Sequence, residues 1–389
     1  MQMFTLPVYL ALREFWRNRG RFFLVSLVIA LITLLVLFIA ALGEGLGNGN
    51  REYLSKLDAN LIVYQDKADL LINASRINRD RVAAVRRVES VAKAGSIAVA
   101  NATITQLESG KELKVALLGV DPGEPGEPLV VEGSQLRRPN VNEVIIDRNT
   151  FLRTGLKVGD DLIIRVTQGT KDQLYSLKVV GVSDGQQYSL QPAIFTPYFN
   201  WDQVRPKSEA EVNRTETVVN VIAVKLTHPA KLETMKARLD SEVGNIQAVP
   251  IPQAIEAVPG YTAQQSTINT QGVFTLLIGL LVIGGFFQIQ ILQKVPQIGV
   301  LKAIGTPNLL VSAAVVTQII LVTTIGVFIG AAGTLLLSLF FPPTIPIVFN
   351  GRASLLAIVA LLMIGPIGGL VSVRYAARIE PLKALGLST

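Results

Sequence analysis

The sequence predicts a membrane α-helical protein with four transmembrane helices and a large α+β extracytoplasmic domain between the first and second helices. Three observations carry that prediction. Half of the 389 residues are hydrophobic and the mean hydropathy is +0.44, whereas soluble globular chains average below zero. Four long stretches contain no Asp, Glu, Lys or Arg: Phe22–Leu42, Gly272–Gln293, a run from Pro307 past Leu335, and Ala353–Val373. About 20 residues in a helix cross a hydrocarbon core about 30 Å thick. The 227 residues from Glu44 to Thr270 alternate instead between strand-like and helix-like patterns, which sets a folded domain between the first two spans.

In chain order, a cytoplasmic amphipathic segment occupies 1–21 and the first span 22–43. The extracytoplasmic domain occupies 44–270, and the second span 271–293. A cytoplasmic coupling loop or helix follows at 294–307, then the third span at 308–340, an outer loop at 341–352, the fourth span at 353–373 and a cytoplasmic tail at 374–389. The N-terminal segment sets Tyr9, Leu10, Leu12, Phe15 and Trp16 among arginines. That composition fits a helix lying on the membrane surface, and equally a plain extension of the first span. The apolar run after it is too long for the 7–15-residue core of a signal peptide, so the first span reads as a retained anchor.

Charge sets the orientation. Residues 44–270 hold 26 Lys+Arg against 27 Asp+Glu, while all the others hold 10 against 2. The net charge of +7 is thus confined to the membrane flanks, which removes the main argument for nucleic acid as a partner. Arg13, Arg17, Arg19 and Arg21 precede the first span, Lys294 and Lys302 follow the second, and Arg374, Arg378 and Lys383 follow the fourth. With four crossings these sets share one side, and the positive-inside rule makes it cytoplasmic, with both termini. Arg352 is the contrary charge, at the end of the last span where it can snorkel to the interface.

Within 44–270, Ala59–Tyr64 reads as a strand and Asp80–Val91 as a helix with Val82, Val85 and Val88 on one side. Ile97–Leu107 and Glu112–Val120 are β-rich runs. Gly123–Pro128 is a turn-rich linker, after which come short strands at Glu143–Ile146, Asp161–Val166, Tyr175–Val182 and Ala193–Thr196. Val218–Leu226 and a helix from Pro229 to Val243 close the domain against its first part. A β-rich subdomain is expected as an insertion at about 121–212.

Catalytic signatures are missing. There is no GxxxxGK[ST], HExxH, GxSxG or GxGxxG, so the chain is not expected to be an enzyme or to hold a cofactor or metal. The absence of cysteine removes disulfides and thiolate chemistry. Asp160 and Asp161 sit at a strand entrance and read as a solvated turn. The single histidine, His228, precedes a proline and has no companions for a metal site.

The segment between the second and third spans reads Gln293-Lys-Val-Pro-Gln-Ile-Gly-Val-Leu-Lys-Ala-Ile-Gly-Thr-Pro307. Ile298, Leu301 and Ile304 recur at helical spacing beside lysines, which suits a short amphipathic helix along the cytoplasmic face that ends at Gly305-Thr-Pro307. A plain turn back into the membrane is the other reading. In the spans, Gly326-x-x-x-Gly330 fits close helix contact, either between two chains or within one.

This loop resembles the signature of the FtsX/MacB-type (type VII) permeases of ABC transporters, close to E-I-G-x-L-R-A-x-G, here Gln297-Ile298-Gly299-Val300-Leu301-Lys302-Ala303-Ile304-Gly305. The ending Ala377-Arg378-Ile379-Glu380-Pro381-Leu382-Lys383-Ala384-Leu385 is similar to that family's A-x-x-x-P-x-x-A-L. Ala116–Asp121, Gly155–Asp160 and Val179–Val182 are also like family stretches. The resemblance implies a permease subunit without a fused ATPase domain, in a bacterial inner membrane. It further implies a separate ABC ATPase that binds ATP and Mg, a second permease chain in a homodimer and contact with membrane lipid, and it leaves a periplasmic adaptor open as a further partner. Lys294, Gln297, Ile298, Gly299, Leu301, Lys302, Ala303 and Gly305 would then couple to the ATPase, and ATP hydrolysis would drive export or mechanotransmission. The alternative it leaves open is an FtsX-like regulator of an external partner such as a cell-wall hydrolase. Two departures matter: Gln297 stands where the family carries Glu, which removes an ion pair, and Lys302 replaces Arg, which loses the bidentate fork.

Overall fold

The first apolar stretch forms one uninterrupted helix, α1 (Arg19–Ser55), because neither proline nor charge falls between Phe22 and Leu42. The structure is a computed structural model that describes residues 9, 13–14, 16–105, 112–139, 141–212, 217–228, 232–341 and 347–378. Leu10, Leu12 and Phe15, the helix start at Pro229, and the motif residues from Ile379 to Leu385 lie outside the described residues. Two units are present: a helical unit, Met1–Gly45 with Gln265–Thr389, and an α/β unit, Leu46–Gln264.

The α/β unit contains β1 (Leu61–Gln65), β2 (Ile77–Asn78), α2 (Asp80–Arg87), β3 (Val91–Ile104), β4 (Leu113–Val120), β5 (Val130–Gly133), β6 (Glu143–Asp147) and α3 (Arg148–Thr154). It continues with β7 (Asp161–Gln168), β8 (Lys171–Ser183), β9 (Ala193–Pro197), α4 (Tyr198–Val204), α5 (Glu209–Val212), β10 (Val218–Val219), β11 (Val221–Leu226), α6 (Leu232–Val243), β12 (Ile246–Pro250) and α7 (Ile251–Glu256). Strand β3 begins six residues before the expected Ile97. Its Ala- and Gly-rich start lacks a β signature, and pairing with β11, Val224 opposite Ala94, makes it a strand.

Ten strands form one sheet in the order β12-β1-β11-β3-β4-β9-β6-β8-β5, with β7 pairing β3 and β8. The strands of the expected insertion therefore extend the main sheet and do not form a separate one. They join it through the parallel pair β4–β9, Ala116 opposite Ala193 through Val120 opposite Pro197, and through the antiparallel pair β3–β7, Thr103 opposite Arg165 and Ile104 opposite Ile164. Along β1, Leu61 and Val63 face a core shared with Val85 of α2 and Leu239 of α6. Ile62 and Tyr64 face a second core with Tyr53, Leu54 and Ala254, as the two-residue strand period requires. Asp147 caps α3 by accepting from the Thr150 amide, and Gly155, with φ of 73°, ends it because only glycine enters the left-handed region without cost.

The helical unit holds the first part of α1 with α8 (Tyr261–Ala303), α9 (Asn308–Ser338) and α10 (Gly351–Arg378); all four helices are long and apolar enough to cross a membrane. Phe22, Ile29, Phe287, Ile319, Val322 and Ile364 share its core. Glycines set the helix spacing. A Cβ at Gly326 would stand 2.6 Å from Ile29 Cβ, and one at Gly330 would stand 2.5 Å from the Ala30 oxygen. The Gly326-x-x-x-Gly330 motif is thus occupied by α1 of the same chain. Gly284 meets the Gly368 oxygen in the same manner, at 2.9 Å, and brings α8 against α10.

Candidate functional site

The basic flanks meet at one end of the helical unit. Arg21 donates to Gln293 Oε1. The Lys294 ammonium pairs with the Glu14 carboxylate and donates to Gln318 Oε1 at 3.1 Å, while the Gln318 amide donates back to Glu14. Lys294 Nζ also lies 5.7 Å from the centre of the Phe22 ring, within cation–π range. Beyond it, Lys302 Nζ donates to the Ala377 oxygen at 2.8 Å. The N-terminal flank, α8, α9 and α10 are thereby tied together by side chains of the segment that joins the second and third spans.

That segment is not a separate helix. Residues 294–303 continue α8 without a break, and Pro296 is accommodated inside it. The helix ends where the sequence predicts. Gly305 has φ of 92°, its amide donates to the Lys302 oxygen at 3.0 Å, and the Thr306 amide donates to the Leu301 oxygen at 3.1 Å. This is a Schellman motif followed by Pro307.

The expected ridge of Ile298, Leu301 and Ile304 divides. Ile298 is 6% exposed and Gly299 is buried, whereas Leu301 is 41% and Ile304 74% exposed. The reason is angular. At about 100° per residue, a three-residue spacing drifts by about 60° per step, so Ile304 has turned about 120° from Ile298. The residues that share a face are Gln297, Leu301 and Ile304, at i, i+4 and i+7, and all three are exposed. Val300 and Leu309 are exposed beside them, as is Ala303. A cleft of about 540 Å³ runs beside this face, between Arg13, Arg17, Gln297, Leu301 and Leu310.

Reading the sequence missed Glu14 and Gln318. Glu14 is the one acid among the N-terminal arginines, and Gln318 is an isolated amide within the third apolar run. Each was a visible anomaly, since a lone polar group in such a setting needs a partner.

In the α/β unit the Ala116–Asp121 stretch has a structural task. Asp121 accepts from Arg79 Nη2 at 2.7 Å and from the Ser96 amide and hydroxyl at 2.9 and 2.7 Å. The Arg79 guanidinium lies over Tyr198 and Phe199, 4.1 and 4.3 Å from their ring centres. Gly119 makes room for Trp201, whose Nε1 donates to the Leu117 oxygen at 3.0 Å. Burial, and next the Asp202 charge, push the Tyr198 hydroxyl up to about 12. Burial pushes the Asp147 carboxyl up to about 6. Among the described residues no cluster of three or more His, Asp or Glu is placed to hold a metal.

Four membrane-length helices with an α/β unit between the first and the second in the chain define a multi-pass membrane protein. The model of the MacB-like periplasmic core domain matches residues 22–242, and that of the FtsX-like permease C-terminal region matches residues 269–381. The chain belongs to this family and is an ABC transporter permease subunit. It is 26% identical over 377 residues to a Staphylococcus haemolyticus protein named as the hemin transport system permease HrtB, covering 97% of this chain and 99% of that one. It is 24% identical over 388 residues to the uncharacterized ABC transporter permease Rv2563 of Mycobacterium tuberculosis, again with 97% and 99% coverage. The extracellular domain of the transporter YknZ from Gram-positive bacteria shares 13% identity, with a TM-score of 0.35 over 49% of this chain and 100% of that one. A likeness that slight carries no weight.

Proposed function

We propose that this permease is driven by a separate ABC ATPase that docks on the exposed face formed by Gln297, Leu301 and Ile304. The observation that supports this most directly is the face itself, an apolar helix end exposed beside the basic flanks. Leu301 and Ile304 supply apolar area, and Gln297 offers a neutral amide where the family carries a charged acid. Lys294, Ile298 and Lys302 point into the bundle and act as positioning residues, so a push on the face moves α8, α9 and α10 together. The basic end is cytoplasmic, and with it both termini, in a bacterial inner membrane. ATP and Mg belong to the ATPase, and two permease chains pair in the membrane. Because Gly326 and Gly330 already hold α1, the pairing surface lies elsewhere on the spans. Nucleotide-driven closure then moves the periplasmic core domain for export or mechanotransmission. Hemin is the first substrate to test, because a relative matched over nearly its whole length carries that name.

Co-purification tests the coupling. Tagged chain with trapped nucleotide should bring down a subunit carrying a phosphate loop, identified by mass spectrometry. Leu301→Glu with Ile304→Glu should abolish capture while the permease remains folded in the membrane. Capture undiminished by the double change would show that the ATPase docks elsewhere.

A further inference from the structure

The α/β unit contains a cavity of about 650 Å³ that none of the preceding functions uses. One wall is Leu70, Leu71 and Ile72, from the segment after β1; the other is Val258 and Pro259, between α7 and α8. No residue of the lining carries a charge. Its size falls within the few hundred to one thousand Å³ usual for small-molecule sites.

Tyr64 gives the cavity its chemistry. The side chain is 0% exposed, it lines the cavity, and its hydroxyl has no hydrogen-bond partner among the described residues. Buried phenols nearly always find one, since an unmet donor forfeits its hydration with nothing in return. Tyr188, which also lines the cavity, is satisfied, because its hydroxyl donates to Asn73 Oδ1 at 3.2 Å. Two residues of the lining, Leu70 and Ser189, and their chain neighbours are held in costly backbone conformations. Lys67, Asp69 and Leu70 in one segment and Ser189 and Leu190 in the other have φ between 48° and 63°, a region that side-chain-bearing residues rarely enter.

We propose that this cavity is a ligand site of the periplasmic core domain, which takes an uncharged, largely apolar molecule offering a hydrogen-bond acceptor to the Tyr64 hydroxyl. A carbonyl, ester or ether oxygen meets that requirement. Burial pushes the Tyr64 hydroxyl well above its ordinary value, so it remains a proton donor at neutral pH. An ionised ligand group would find no counter-charge in the lining and would have to shed its hydration, which disfavours it strongly. Asn50 and Ser189 reach the same cavity and can meet the polar end of a ligand whose body lies between the leucines and Val258. The site does not depend on coupling to an ATPase, and its test is separate from that of the docking face.

The probe is a water-soluble, uncharged benzophenone amide, which combines an apolar body, a carbonyl acceptor and photochemical capture. Full-length protein in lipid nanodiscs is irradiated with increasing probe, and the labelled peptides are mapped by mass spectrometry. Saturable labelling within 64–74, 188–189 and 254–259 is expected. Tyr64→Phe, which keeps the ring, should raise the half-saturating concentration by about fivefold, the worth of one hydrogen bond. Val258→Trp, which fills the space, should lower labelling at least tenfold. A benzophenone carboxylate should label at least tenfold less than the amide. Labelling that does not saturate, that maps elsewhere, or that is unchanged in Tyr64→Phe overturns the proposal. If Val258→Trp does not fold, the Tyr64→Phe result decides alone.

Discussion

Lys294 and Glu14 form an ion pair that joins the segment between the second and third spans to the N-terminal flank, and Gln318 closes the arrangement by bonding to both. The two side chains are largely buried, 14% and 28% exposed, so removal of one charge strands the other in a poorly solvated place. Lys294→Met should therefore cost about 3 kcal/mol, and the double change Lys294→Met with Glu14→Gln should recover part of that loss. Thermal unfolding of the protein in nanodiscs measures both. A double variant whose loss equals the sum of the losses in Lys294→Met and Glu14→Gln alone would mean the two residues act separately.

Gly326 and Gly330 are predicted to matter for folding within one chain. Gly330→Val drives a side chain into the Ala30 oxygen and Thr33, and overpacking of this kind costs roughly 1–3 kcal/mol. The unfolding midpoint should fall while the folded fraction keeps its oligomeric state by crosslinking. Loss of the dimer with an unchanged midpoint would place these glycines between chains instead.

Asp147 should give the α/β unit a distinctive pH dependence. Its folded value, about 6, exceeds the ordinary carboxyl value of 3.8. Between the two, the folded state retains a proton that the unfolded state has lost, so unfolding free energy falls as pH rises through that window. The loss at neutral pH is on the order of 2–3 kcal/mol. Asp147→Asn can still cap α3 without a charge, so the variant should be more stable than the parent at pH 7.5 and the gap should close towards pH 4. A gap that widens at low pH would contradict the assignment.

Asp121→Ala should be among the most damaging single changes in the α/β unit. It leaves the Arg79 guanidinium and the Ser96 amide and hydroxyl without their acceptor, at a cost of about 3–5 kcal/mol for breaking a buried charge pair. Loss of folded protein, read by protease resistance, is the expected outcome, and resistance equal to the parent would refute it.

The spans and the strands with β-branched runs were legible in the sequence because their burial is written as local composition. The apolar stretch at Phe22–Leu42 could only be a membrane-length helix, and the end of α8 at Gly305 followed from the Gly-Thr-Pro punctuation. What could not be read depends on distant partners. The start of β3 takes its conformation from β11, and the strands after Asp121 join the main sheet through the β4–β9 and β3–β7 pairings, which local pattern does not encode. The exposed face at the end of α8 is half legible: Leu301 and Ile304 stand out by their spacing, but Ile298 falls in with them because a three-residue spacing looks like a ridge until its drift is followed over two turns. Glu14 and Gln318 are not legible as a site because their partner, Lys294, is distant in the sequence.

The absence of native cysteine allows the central claim to be tested position by position. Single cysteines at Gln297, Leu301, Ile304 and Ile298 would be treated with a short bifunctional crosslinker in membranes that also contain the ATPase. The account predicts crosslinks to the ATPase from 297, 301 and 304 and none from 298, which points into the bundle. Crosslinking from 298 as strong as from 301, or none from any of the four, would contradict it.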